Sequence, residues 1–188
     1  MAANGAPFGR RVGWPSAVRP TSRPCASPSS SAPLAPPLPG ARPEAMFDGR
    51  HCGRGVLAKA DGAEPRRFAV VSEGERAGEG LRLVQTIRFE DGETRERVWT
   101  LRPEGEGDQR YTGTLTEASG PVRAAVSGPT LRLTYPLAEL PLGRMTQHLT
   151  VQPDGTVTNT GTVTLAGFPV RRLTESIAPM GEEGCAAP

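Results

Sequence analysis

Residues 80–102 read GLRLVQTIRFEDGETRERVWTLR, and the phase of their apolar side chains decides the fold. Leu81, Leu83, Ile87 and Phe89 share one parity, while Arg82, Thr86, Arg88 and Glu90 occupy the other. Alternation this regular is the pattern of a strand with one face in an apolar interior and the other in water. Asp91-Gly92 then supplies a tight reversal, because Gly accepts the positive φ that a two-residue hairpin demands. On the returning run Arg97, Trp99 and Leu101 lie in phase. The stretch is a β-hairpin whose inward face carries a guanidinium beside an indole.

The same grammar extends in both directions. Leu131, Leu133 and Tyr135 oppose Arg132 and Thr134; Leu149 and Val151 oppose His148, Thr150 and Gln152. Val157, Val163 and Leu165 oppose a row of threonines at 156, 158, 160, 162 and 164, a residue type suited to an exposed strand face. Strands are predicted over 53–60, 66–73, 80–90, 93–102, 109–117, 121–127, 130–137, 145–152, 155–165 and 168–177. Asp61-Gly62 and Asp154-Gly155 mark further tight turns, and no window has the spacing of an amphipathic helix. Ten short strands with short connections form an antiparallel up-and-down meander. Such a sheet leaves two exposed edges unless it closes, so the expected fold class is all-β, a barrel.

Residues 1–45 are of another kind. They hold ten prolines, nine alanines and six serines, with five arginines against the single acid Glu44. A segment this poor in apolar surface cannot offset the entropy of ordering it, and a disordered tail is expected. Three readings stay open for it: a targeting peptide, a polyproline tether around Pro33–Pro39, or translation from an upstream start with Met46 the true initiator. The domain is expected over 46–178, with a loose C-terminus over 179–188. The whole chain is formally +2, but residues 46–188 carry 17 basic and 19 acidic groups. The domain alone is slightly acidic, and nucleic acid drops out as an expected partner. No run approaches the roughly 18–20 apolar residues of a transmembrane helix. Without a secretory signal or lipid-attachment motif, the expected location is cytoplasmic. Cys25, Cys52 and Cys185, an odd number at scattered positions, argue against a disulfide scaffold and against a cysteine zinc cluster. The 21 arginines against the single Lys59 read as a genome-wide bias.

Polar residues in the inward phase are the informative exceptions. Arg97 falls in phase with Trp99 and Leu101, Gln85 with Leu83 and Ile87, Glu117 with Tyr111 and Leu115, and Gln147 with Leu149. A buried guanidinium is costly unless paired, so a carboxylate partner is implied, from the protein or from a ligand. Around these positions the chain resembles an uncharacterised bacterial family, domain of unknown function 3833. The matching residues run from Phe47-Asp48-Gly49 through Arg67-Phe68, Arg97-x-Trp99, Tyr111-x-Gly113 and Tyr135. They continue with Pro153-Asp154-Gly155, Asn159 and Gly167-Phe168-Pro169-Val170, ending at Thr174. The resemblance implies a lipocalin-like, calycin-type barrel and no established activity. Where the family pattern has Asp-Trp-Met, this chain has Gln147-His148-Leu149, so an inward carboxylate has become an amide.

Two readings of the inward residues follow. In the first, the barrel binds a small hydrophobic or amphipathic ligand without catalysis. Arg97 holds an anionic head, Trp99, Tyr111, Tyr135, Gln147 and Glu117 form the rest of the site, and Leu83, Ile87, Leu101, Leu115 and Leu133 line the tail. In the second, Arg97 packs on Trp99 by a cation–π contact and pairs with Glu117 in a filled barrel, a structural or partner-binding module. No nucleophile–base pair is present, so no catalytic residue is expected. His148 is outward, and adjacent His51 and Cys52 point to opposite faces of a strand, so no metal and no cofactor is expected either.

Overall fold

The computed structural model describes residues 40–105, 109–182 and 184–185. A single helical turn, α1 (Pro43–Met46), precedes ten strands: β1 (Gly49–Lys59), β2 (Arg66–Ala77), β3 (Gly80–Phe89), β4 (Thr94–Pro103), β5 (Arg110–Leu115), β6 (Val122–Ser127), β7 (Thr130–Pro136), β8 (Gly143–Val151), β9 (Val157–Leu165) and β10 (Phe168–Pro179). Every predicted run is a strand. Each strand pairs antiparallel with its chain neighbours, and β1 pairs with β10 from His51↔Pro179 to Lys59↔Arg171. The sheet is therefore a closed up-and-down barrel without a free edge. The aspartate-glycine turns close three hairpins, with Gly62, Gly92 and Gly155 at φ 88°, 89° and 82°. The β9–β10 turn uses Ala166 and Gly167, both at positive φ.

The inward apolar parities read from the sequence are the buried ones, except at Leu165, which is exposed where β9 runs into its turn. Leu81, Leu83, Ile87, Phe89, Trp99 and Leu101 are all buried, as are Tyr111, Leu115, Leu131, Leu133 and Tyr135. The apolar faces of all ten strands thus converge on one interior.

Two features depart from the sequence reading. The first is at the N-terminal end. Ala41, Pro43, Glu44 and Met46 are buried, so three residues ahead of Met46 that were assigned to the tail pack into the barrel end. Gly74 permits this, because a Cβ there would lie 1.7 Å from the Phe47 carbonyl oxygen. The Tyr111 hydroxyl donates to the Glu44 carboxylate at 3.2 Å, and that buried anion lies 3.8 Å from the Arg42 guanidinium. One turn with no repeat of its apolar spacing offers no periodicity to detect, which is why sequence patterning misses it. The suspected polyproline stretch at Pro33–Pro39 lies outside the described residues.

The second departure is a disulfide joining Cys52 to Cys185 across 133 residues of sequence, where none was expected. An odd cysteine count does not forbid one pair. The proximity arises because β10 closes on β1, which carries the following segment, with Met180 N–H donating to Arg50 carbonyl at 2.8 Å, back along β1.

Candidate functional site

The barrel lumen holds a partly open cavity of about 90 Å³. Its walls are mostly aliphatic and aromatic, including Leu83, Ile87, Trp99, Leu133 and Leu149, and five polar side chains reach it: Gln85, Arg97, Gln147, Asn159 and Glu175. Each is placed by strand phase. The register sets Gln85 opposite Arg97, and Asn159 opposite Glu175.

On one wall the polar groups form a chain across β2, β3 and β4. Gln85 donates through Nε2 to Ser72 Oγ at 3.0 Å and accepts through Oε1 from Trp99 Nε1 at 2.7 Å. The Trp99 ring meets Tyr135 edge-on, with centroids 5.5 Å apart at 85°, so the two walls touch through their aromatic side chains. Next to this chain, Arg97 Nε lies 3.0 Å from Glu117 Oε2, an ion pair without the alignment of a hydrogen bond. Both side chains are about one-fifth exposed. The cation–π contacts of the described residues lie elsewhere, with Arg66 and Arg95 on Phe89; Trp99 is held by Gln85 and Tyr135 instead.

On the facing wall, Tyr135 donates to Gln147 Oε1 at 3.4 Å, and burial pushes the Tyr135 hydroxyl well above its usual range. Asn159 donates through Nδ2 to Glu175 Oε2 at 2.9 Å. The Asn159 Oδ1 atom is buried without a hydrogen-bond partner. Burial also raises the Glu175 carboxyl, with Asn159 and then Arg97 acting against that shift.

Of the residues singled out by the sequence, Arg97, Trp99 and Gln147 line the cavity. Tyr135 and Glu117 stand behind them as partners of Gln147 and Arg97. Tyr111 is turned to the plugged end, where it meets Glu44. Sequence reading missed Glu175 and Asn159. Glu175 shares its parity with buried Leu173 and Ile177, and Asn159 lies in phase with Val157 and Val163, so the alternation that exposed Gln85 and Arg97 also contained these two. Glu175 brings a carboxylate to the lumen. Among the described residues no group of three or more His, Cys, Asp or Glu side chains is placed to hold a metal ion.

Because the Arg97–Glu117 pair is mostly shielded from water, removing one partner strands the other. Arg97→Leu is expected to cost about 2 kcal/mol, the exposure reducing the larger penalty of a fully buried pair. A double-mutant cycle with Glu117→Leu, followed by urea unfolding, should show a coupling of about 1 kcal/mol. Additive single-mutant effects would mean that the pair does not contribute to stability.

Comparisons with solved structures show the fold. An S-type phycobiliprotein lyase from Guillardia theta superposes with a TM-score of 0.57 at 8% identity, covering 73% of this chain and 90% of the other. A protein of unknown function from the DUF3598 family of Nostoc punctiforme PCC 73102 superposes at 0.55 with 17% identity, over 80% of this chain. The match spans 53%, about half, of that longer protein. No curated protein matches the sequence. A family model described as Protein of unknown function (DUF3833) matches residues 25–177, beginning well ahead of Phe47.

Proposed function

The chain belongs to the family described as Protein of unknown function (DUF3833), a description that carries no activity, and from the geometry of the lumen we propose that the barrel binds a small amphipathic molecule without transforming it. One observation carries this reading: a buried carbonyl oxygen, Asn159 Oδ1, without a hydrogen-bond partner, on a residue lining a cavity whose walls are mostly apolar. Buried polar atoms are nearly always satisfied, and a ligand or a trapped water would complete this one. The phycobiliprotein lyase supports the reading only as a barrel of the same kind, because fold does not establish function.

The size of the cavity limits the ligand. Drug-sized pockets run to roughly 300–1,000 Å³, and an engineered cavity of about 150 Å³ accommodates benzene. At about 90 Å³ the lumen suits a short-chain molecule rather than a long-chain lipid. That small volume also favours a second reading, a filled barrel serving as a structural or partner-binding module. Native mass spectrometry of the protein purified from its own host separates the two. A retained small molecule is expected; if none co-purifies and no compound in a panel raises Tm, the binding reading fails.

Among the described residues no helix is long and apolar enough to cross a membrane. The cytoplasmic location expected from the sequence conflicts with the Cys52–Cys185 bond, because disulfides persist in oxidising compartments and are rare in the cytosol. The disulfide supports an oxidising compartment as the working location.

A further inference from the structure

The charges at the lumen do not favour an anion. Arg97 is the cation lining the cavity, and Glu117 already lies against it at 3.0 Å. Glu175 feels Arg97 only through space, and no ion pair to its carboxylate is seen among the described residues. Its Oε2 accepts from the neutral Asn159 amide at 2.9 Å, and no other hydrogen bond to its carboxylate is seen among the described residues. The two acids therefore outnumber the one base, and the acid without an ion-pair partner is Glu175.

The local geometry leaves acceptors unfilled there. Glu175 Oε1 occupies a notch over Gly53, where a Cβ would come within 2.5 Å of it. Any side chain on that β1 position would displace the carboxylate. Beside it, Asn159 Oδ1 is buried without a partner. That amide is oriented by its own Nδ2 donation to Glu175, which directs the carbonyl oxygen away from the carboxylate. A carboxylate oxygen and an amide oxygen thus border one small cavity whose remaining walls are largely apolar.

Resting on the reading of the lumen as a ligand site, we propose that the bound molecule is a short-chain alkyl amine, its ammonium group held by the Glu175 carboxylate and the Asn159 side-chain carbonyl and its chain lying against Leu83, Ile87, Leu133 and Leu149. An ammonium supplies donors to acceptors that lack them, and it gives a half-buried carboxylate the ion-pair partner it does not otherwise have. The elevated pKa of Glu175 marks the same cost of enclosure, which a cation relieves.

The test uses n-butylammonium chloride and sodium butyrate, which have similar chains and opposite charge, titrated into the full chain at neutral pH. Binding is read from amide chemical shifts and Tm. Butylammonium is expected to shift resonances around the lumen and raise Tm, with butyrate doing neither. Glu175→Gln, nearly identical in shape, should weaken butylammonium by about tenfold or more, the scale of a lost charge-assisted contact. Asn159→Ala, whose fold is checked by the same spectra, should weaken it by a smaller factor. Butyrate binding as well as butylammonium, or Glu175→Gln binding the amine unchanged, overturns the amine assignment and leaves the ligand reading intact. If neither probe binds and the natively purified protein carries no small molecule, both fail together.

Discussion

Trp99→Ala is expected to lower the unfolding free energy by about 3–5 kcal/mol, the usual range for removing a large buried aromatic side chain. Trp99 is 5% exposed and contributes more than volume. Its Nε1 donates to Gln85 Oε1 at 2.7 Å, and its ring meets Tyr135 edge-on. Alanine would create a void next to the existing cavity and leave the Gln85 carbonyl short of a donor. Trp99→Phe separates these effects: ring packing is largely kept, and the lost hydrogen bond should cost about 1–2 kcal/mol. Urea unfolding with an unchanged m-value is the measurement. A loss below about 1.5 kcal/mol for Trp99→Ala would mean that the lumen collapses around the vacancy and that the indole is not what holds it open.

Breaking the Cys52–Cys185 bond is the other large effect expected. The two cysteines are 133 residues apart in sequence. Closing a loop of that length in the unfolded chain removes enough entropy to stabilise the folded state by about 5 kcal/mol in the chain-entropy account. Reduction with dithiothreitol, or the pair Cys52→Ser and Cys185→Ser, should lower Tm by roughly 10 °C for a domain of this size. Thiol counting under denaturant should find one free cysteine, Cys25, before reduction and three after it. Three free thiols in the protein taken from its host would place the chain in a reducing compartment and remove the argument for an oxidising one.

Much of the lumen was open to sequence reading because strand parity is a local property. Gln85, Arg97 and Gln147 stood out as polar residues among in-phase leucines, and all three reach the cavity. Glu175 and Asn159 obey the same rule, but their neighbours conceal it. Glu175 follows Thr174 and precedes Ser176, and Asn159 lies inside a threonine row, so their alternation is between polar and apolar only at the outer positions. Glu44 lay beyond any such rule. Its position depends on a single helical turn that fits the barrel end because Gly74 has no side chain.

The sequence by itself determined the ten strands, their turns and the face each presents, because these follow from period-two alternation and from aspartate-glycine pairs at hairpin positions. Its small number of helix signals and its short connections were enough to imply a closed meander. Only the tertiary structure decided which inward polar groups meet. Arg97 could have served an anionic ligand until the register placed Glu117 beside it, and the cysteine pair existed only once β1 and β10 closed the sheet. The reason is the same in both cases. Parity specifies which side of a strand a residue faces, whereas its partner is set by the register between neighbouring strands and by the closure of the barrel.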